Sequence, residues 1–206
     1  MFDDELVTQP VALPGGTLEV AQPRESADLP DAGAVEWAPL APYWSVLWRS
    51  GVALAREIEL LGVPARVIEL GCGLGLPSLA AARAGADVLA TDEEPEALEL
   101  VAANAARNGL GLRTRVADFT RPPQSLGLGR FDLVLASDLL YERSSVAALL
   151  YLLPRLAPVA LVADPGRPAA APFLARARER WDVTTAERGV VEIHRIALDP
   201  AMTPGA

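Results

Sequence analysis

The stretch Arg66-Val67-Ile68-Glu69-Leu70-Gly71-Cys72-Gly73-Leu74-Gly75 restricts what this chain can fold into more than any other segment. An apolar run carrying one carboxylate, Glu69, breaks into glycine at alternate positions, and Pro77 and Ser78 then open an alanine-rich segment. A buried strand that ends in glycines and turns into a helix makes a ligand crevice at the carboxyl edge of a parallel sheet. Without a Cβ, glycine lets the backbone approach a ligand closely. The spacing here is G-x-G-x-G. The dinucleotide fingerprint G-x-G-x-x-G would need glycine where Leu76 stands.

The flanking pattern supports an α/β fold. Strand 66–70 leads to a helix over 78–84, stopped by Gly85. Strand 87–91 leads to a helix over 95–107, started at Pro95 and stopped by Asn108-Gly109. Strands 113–117 and 131–136, helix 144–153, strand 159–163 and helix 169–180 continue the alternation. Such alternation implies right-handed crossovers and a parallel sheet covered on both faces. Residues 182–186 and 190–198, joined through Glu187-Arg188-Gly189, read instead as a β-hairpin. At the other end, residues 5–22 read as a small hairpin turning at Pro14-Gly15-Gly16. Residues 23–42, with Pro23, Pro30, Pro39 and Pro42, read as an extended lead-in. Apolar residues at helical spacing predict a helix over 43–61, with Trp44 and Trp48 on one face and Gly62 as its stop.

At 206 residues and 51% apolar content, the chain is expected to form one domain, 1–206, with 1–42 as its hairpin and lead-in. No window approaches the ~18 apolar residues of a membrane span. The start, Met1-Phe2-Asp3-Asp4-Glu5-Leu6, is acidic where a secretory signal would be basic and then apolar. A single cysteine, Cys72, excludes an internal disulfide and a cysteine-based zinc site, and no metal is expected. These features point to the cytoplasm. A net charge of −9 disfavours a long nucleic-acid footprint and suits a basic protein partner. All 18 basic residues are arginine, so the chain carries no lysine of its own.

A pyrophosphate gains nothing from a carboxylate two residues before the first glycine, whereas a ligand with a cationic amino-acid end does. S-adenosylmethionine (SAM) has such an end, and Glu69-x-Gly71-x-Gly73-x-Gly75 resembles motif I of the class I SAM-dependent methyltransferases. Asp92 closes the second strand, 19 residues after Gly73, where a carboxylate accepts both ribose hydroxyls of a nucleoside. An N-cap for the following helix is the alternative, and the run Asp92-Glu93-Glu94 favours that helix dipole, but strand, glycines and spacing together favour the ribose. Asp118-Phe119 ends the third strand and resembles the acidic–aromatic pair that holds adenine in many of these enzymes; a turn aspartate beside a core ring is the alternative. The βα units closed by an antiparallel hairpin resemble their Rossmann-like seven-stranded sheet, mostly parallel.

Three further segments narrow the resemblance. Ser137-Asp138-Leu139-Leu140-Tyr141 follows the fourth strand and carries Asp-x-x-Tyr, not the Asn/Asp-Pro-Pro-Tyr of enzymes that methylate nucleobase or amide nitrogens. Pro42-Tyr43-Trp44…Trp48-Arg49-Ser50-Gly51 resembles a Pro-Tyr-Trp…Trp-Pro-x-Gly segment, with Arg49 where proline is common. Asp164-Pro165-Gly166-Arg167-Pro168 follows the fifth strand. Together, over about residues 38–170, these resemble the seven-β-strand protein lysine methyltransferases, including those acting on the electron transfer flavoprotein β-subunit. The resemblance implies a SAM site made by Trp48, Glu69, Gly71, Cys72, Gly73, Gly75, Asp92, Glu93, Asp118, Phe119 and Ser137. It implies Asp138 and Tyr141 as catalytic residues toward a protein lysine. Small-molecule N- or O-methylation and non-catalytic SAM binding remain open, as does oligomeric state. His194 and Cys72 are read as structural.

Overall fold

The structure, a computed structural model, describes residues 6–27, 42–63, 65–121 and 126–198. Five parallel strands form its spine: β3 (Arg66–Leu70), β4 (Asp87–Asp92), β5 (Arg113–Val116), β6 (Leu133–Ser137) and β7 (Val159–Asp164). The antiparallel strands β8 (Asp182–Arg188) and β9 (Val191–Ala197) complete a seven-stranded sheet in the order β5-β4-β3-β6-β7-β9-β8. Strands β1 (Leu6–Leu13) and β2 (Gly16–Pro23) pair separately as the expected N-terminal hairpin. The sheet and its antiparallel end match the seven-stranded expectation.

Alternation along the strands explains the layers. Ile68, Leu70, Val134, Ala136 and Val162 point to one face, against α5 (Arg143–Leu156) and α6 (Ala170–Arg178). Val67, Leu133, Leu135, Leu161 and Ala163 point to the other, against α2 (Arg49–Leu61), α3 (Leu76–Arg83) and α4 (Pro95–Arg107). Leu54 and Ile58 of α2 and Leu149 and Leu153 of α5 are fully buried. Each such side chain contributes roughly 1.5–3 kcal/mol relative to exposure. The direction of chain progression reverses between β3 and β6, which opens a crevice at the carboxyl ends of those strands.

Two local expectations change. The helix expected over 43–61 begins only at Arg49; Tyr43–Ser45 is a 3₁₀ turn, and Trp48 is extended with ψ 144°. The Trp48 indole N–H takes the Tyr43 carbonyl at 2.8 Å, and the Ser45 hydroxyl takes that of Pro42 at 2.7 Å. These side chains occupy carbonyls that an α-helix would use. Trp44 and Trp48 therefore do not share a helix face. In the lead-in, Arg24–Ala27 forms a single helical turn, α1, where extended chain is expected. Residues 28–41 of that lead-in lie outside the described residues.

The hairpin is fastened to the main body by two asparagines one turn apart, Asn104 on α4 and Asn108 just past its C-terminal end. Asn104 donates to the Ala21 carbonyl at 3.1 Å and accepts the Ala21 N–H at 2.8 Å. Asn108 repeats the exchange with Glu19, at 2.8 and 2.9 Å. The side-chain amides pair with β2 as a neighbouring strand would. Replacing Asn104, which is fully buried, with Ala strands the Ala21 backbone groups, a cost of about 1–3 kcal/mol. Chemical denaturation should read that loss, and the amides of residues 19–21 should lose hydrogen-exchange protection.

Candidate active site at the carboxyl edge of the sheet

Because the sheet order is β5-β4-β3-β6-β7, the sequence-flagged residues line up along one edge: Asp118, Asp92, the glycine loop, Asp138 and then Asp164 with Arg167. The loop needs its glycines. Gly71 has φ 57°, and a Cβ there would lie 2.5 Å from a Leu139 methyl. Gly75 has φ 73°, precedes α3, and would put a Cβ 2.7 Å from Val101 of α4. A Cβ on Gly73 would meet the Trp44 carbonyl at 3.0 Å, so the 43–48 segment packs directly over the loop.

Glu69 is wholly buried on β3. Its Oε2 accepts both the backbone N–H of Ser78, at 2.9 Å, and the Ser78 hydroxyl. Oε1 is buried with no hydrogen-bond partner. Burial raises its pKa to about 8, against the lowering effect of the Ser78 hydrogen bonds. Asp92, also buried, accepts the Gly73 N–H at 2.8 Å and the Glu94 N–H at 3.1 Å. Burial raises it as well. Glu93 is exposed; partial burial, then Asp118 and Asp92, raise its carboxyl. Cys72 is buried beside Ala90, Leu98 and Val101, and burial, then Glu69 and Asp92, push its thiol well up, which leaves it inert. An unsatisfied buried acceptor at Glu69, a carboxylate on the loop at Asp92 and a backbone free of Cβ atoms fit a ligand with a cationic amino-acid end and vicinal hydroxyls.

Asp118 accepts from Thr120 and Arg121. Partial burial works against the carboxylate, yet these hydrogen bonds and the Arg121 charge hold it below its ordinary range. Phe119 packs into the core with Leu128 and Phe131. Ser137, half-buried at the end of β6, has its hydroxyl 3.8 Å from a Cβ built on Gly51.

Asp138 has φ 60°, the one positive value of a non-glycine among the described residues. Aspartate tolerates this conformation better than most residues, and strain of this kind gathers at functional sites. Oδ1 accepts the Ser50 hydroxyl at 3.0 Å and an Arg167 N–H; Oδ2 is buried without a partner. Burial raises this carboxyl, opposed first by the Arg167 charge. Arg167 also reaches Asp164 Oδ2 at 3.3 Å, and its guanidinium lies 5.9 Å from the Trp48 ring centroid. Tyr141 is 53% exposed, and no hydrogen bond joins it to Asp138. Burial, then Glu93 and Glu142, raises its phenol, so its charged surroundings belong to the β4 side of the crevice.

Sequence reasoning gave no role to Ser50, and read Arg167 only as part of a turn. The Asp-Pro-Gly-Arg-Pro pattern was the available signal for Arg167; a serine in a helical first turn gave none. His194 is fully buried on β9, with Thr185 Oγ1 2.9 Å from its Nδ1. Among the described residues, no group of three His, Cys, Asp or Glu is arranged to hold a metal.

The profile of the lysine methyltransferase family matches residues 45–162, more than half of the chain, from just before Trp48 into β7. The chain belongs to the lysine methyltransferase family. It is 38% identical over 121 residues to protein N-lysine methyltransferase METTL21A of Danio rerio, covering 54% of this chain and 55% of that protein. It is 32% identical over 142 residues to the electron transfer flavoprotein β-subunit lysine methyltransferase of Mus musculus, covering 64% and 54%. The chain thus spans about half the length of these relatives. In shape it resembles the T. thermophilus 16S rRNA N2 G1207 methyltransferase, solved with AdoMet and guanosine, at TM-score 0.70 and 16% identity over 95% of this chain and 51% of that one. That likeness shows the methyltransferase fold.

The Glu69 carboxyl ties the stability of the fold to pH. Its folded pKa, about 8, lies above the ordinary 4.5, so its contribution is fully present below pH 4.5 and is lost as pH rises through about 8. Each pH unit within that window costs up to about 1.4 kcal/mol. Glu69→Gln should flatten this part of the stability profile, measured by urea unfolding at pH 5 and pH 8.5.

Proposed function

We propose that this protein is a SAM-dependent protein methyltransferase acting on a lysine ε-amine. The observation that carries the reading is Asp138: a buried carboxylate at the end of β6, beside the glycine crevice, with one oxygen held and the other unpartnered. An amine donating to Oδ2 satisfies that oxygen. Membership of the lysine methyltransferase family supports the same acceptor.

The remaining residues take their parts around it. Glu69, with Gly71, Cys72, Gly73 and Gly75, holds the methionine end of SAM. Asp92 and Glu93 hold the ribose, and Asp118 and Phe119 the adenine. Trp48 and Ser137 flank the transferred group, and Tyr141 lies on the outer wall of the crevice. When bound, SAM supplies a methyl group activated by a sulfonium. The chain's own work is positioning and charge management. A lysine with the reference pKa near 10.4 must lose its proton first, which costs roughly 4.6 kcal/mol at pH 7. An apolar pocket reduces that cost by disfavouring the ammonium, and Leu139 and Leu140, both buried, line the segment that leads away from Asp138. Asp138 then aims the lone pair through a hydrogen bond from the neutral amine.

The net charge of −9 and the absence of lysine suit a basic protein acceptor more than an RNA. We place the protein in the cytoplasm, with residues 1–206 acting as one domain, a reading supported by its one free, buried cysteine. No described helix is long and apolar enough to cross a membrane.

The deciding experiment uses SAM with a tritiated methyl group and a lysine-rich soluble extract. Label should enter a protein band with the wild type and be lost with Asp138→Ala, which should still bind SAM by calorimetry. Label confined to the small-molecule or RNA fraction overturns the lysine reading, and equal labelling by Asp138→Ala removes Asp138 from it. A second expectation follows from Glu69. At pH 7 its carboxyl is mostly protonated, since its pKa is about 8. A cationic amino group bound beside it favours the carboxylate, so SAM binding should release close to one proton. Calorimetry in phosphate and in Tris reads that release, and Glu69→Gln should abolish it.

A further inference from the structure

Arg167 is not held by one partner. Its Nη1 lies between Asp138 Oδ1 and Asp164 Oδ2, and its side chain is 24% exposed. Asp164, fully buried, turns its other oxygen to the backbone N–H groups of Gly166 at 2.8 Å and Arg167 at 2.6 Å. The turn that carries the guanidinium is therefore fixed by the same carboxylate that anchors the guanidinium. On the opposite side, the left-handed backbone of Asp138 and the Ser50 hydroxyl fix the Asp138 carboxylate. Trp48 lies over the guanidinium. Two oxygens of one carboxylate thus have opposite fates: Oδ1 is doubly donated to, and Oδ2 is buried with nothing.

This asymmetry bears on a difficulty of lysine methylation. A bare buried carboxylate beside an amine stabilises the ammonium, the form that cannot attack. A carboxylate whose charge is already balanced accepts a hydrogen bond from a neutral amine without that penalty. The geometry points to Arg167 as a positioning residue: by taking Oδ1 it leaves Oδ2 to receive the incoming amine, and it offsets the charge that would hold that amine as an ammonium. The inference rests on the lysine reading above. The charged groups acting on Asp138 are Arg167, from the β7–α6 connection, and Asp164, the last residue of β7. Arg167 neutralises one of these two carboxylates, and the direct hydrogen bond to Oδ1 directs most of that effect to Asp138.

The test compares wild type, Arg167→Met and Arg167→Lys as full chains, each checked by thermal melting. Carbon-13 NMR follows the titration of the Asp138 carboxyl without any substrate, and tritiated SAM with the lysine-rich extract gives transfer rates from pH 7 to 9.5. In Arg167→Met the Asp138 midpoint should rise by at least about one pH unit. Transfer should fall about tenfold or more at pH 7 and recover toward the wild-type rate at high pH, as the retained ammonium deprotonates. SAM affinity should change by less than about twofold, because the guanidinium lies on the acceptor side. Arg167→Lys should restore the midpoint and part of the rate. An unmoved Asp138 midpoint in folded Arg167→Met overturns the proposal. So does a loss of transfer that is equal at every pH, which would mark Arg167 as structural. If the wild type labels no protein, the lysine reading fails and the positioning role falls with it, whereas an unmoved midpoint beside a labelled protein overturns the role of Arg167 alone.

Discussion

The buried Glu69 carboxyl accepts hydrogen bonds from the Ser78 N–H and hydroxyl and so joins the central strand to the first turn of α3. Everything at the crevice is built between those two points. The glycine loop spans the short gap from β3 to α3, and the gap is so tight that a Cβ on Gly71 would collide with Leu139 and one on Gly75 with Val101. One Glu69 oxygen satisfies a helix N-terminus that lacks a side-chain cap of its own. The other faces no donor. A protein that buries an acid in this way accepts a weaker empty state in exchange for a site that a cationic group can complete.

From that centre the edge of the sheet divides by charge. Toward β4 and β5 it presents Asp92, Glu93 and Asp118, with the phenol of Tyr141 leaning into their field. Toward β6 and β7 it presents a compact cluster of two acids and one arginine, with Ser50 and Trp48 from α2 and its approach. The two halves meet at the glycine loop, under the 43–48 segment. Their chemistry differs because one faces hydroxyls and a base in the proposed complex, and the other faces an amine that must arrive uncharged.

Much of this was legible in the sequence. The βα alternation fell within a few residues of the observed elements, because buried parallel strands are continuous apolar runs and helices carry their own stops, such as Gly85 and Asn108-Gly109. The loop was legible because glycine spacing has few other uses. The 43–48 segment was misread as helix: Trp48 and Ser45 spend their polar atoms on local carbonyls, a choice that apolar periodicity does not record. Arg167 is visible only as part of its turn, because Asp138, the more distant of its two partners, lies 29 residues earlier in the chain. Ser50 and Asp138 are 88 apart, which is likewise beyond any local pattern. Asn104 looks like an ordinary helix residue, and Asn108 like no more than a helix stop, until β2 is brought beside them.

Those two asparagines have a consequence for how the molecule meets its neighbours. A two-stranded ribbon ordinarily leaves the outer row of each strand's amides and carbonyls free, and such rows recruit strands from other chains. On β2 that row is answered by helix side chains at Glu19 and Ala21. The ribbon is thus closed on that side without adding a strand, and self-association along β2 would first have to peel it away from α4.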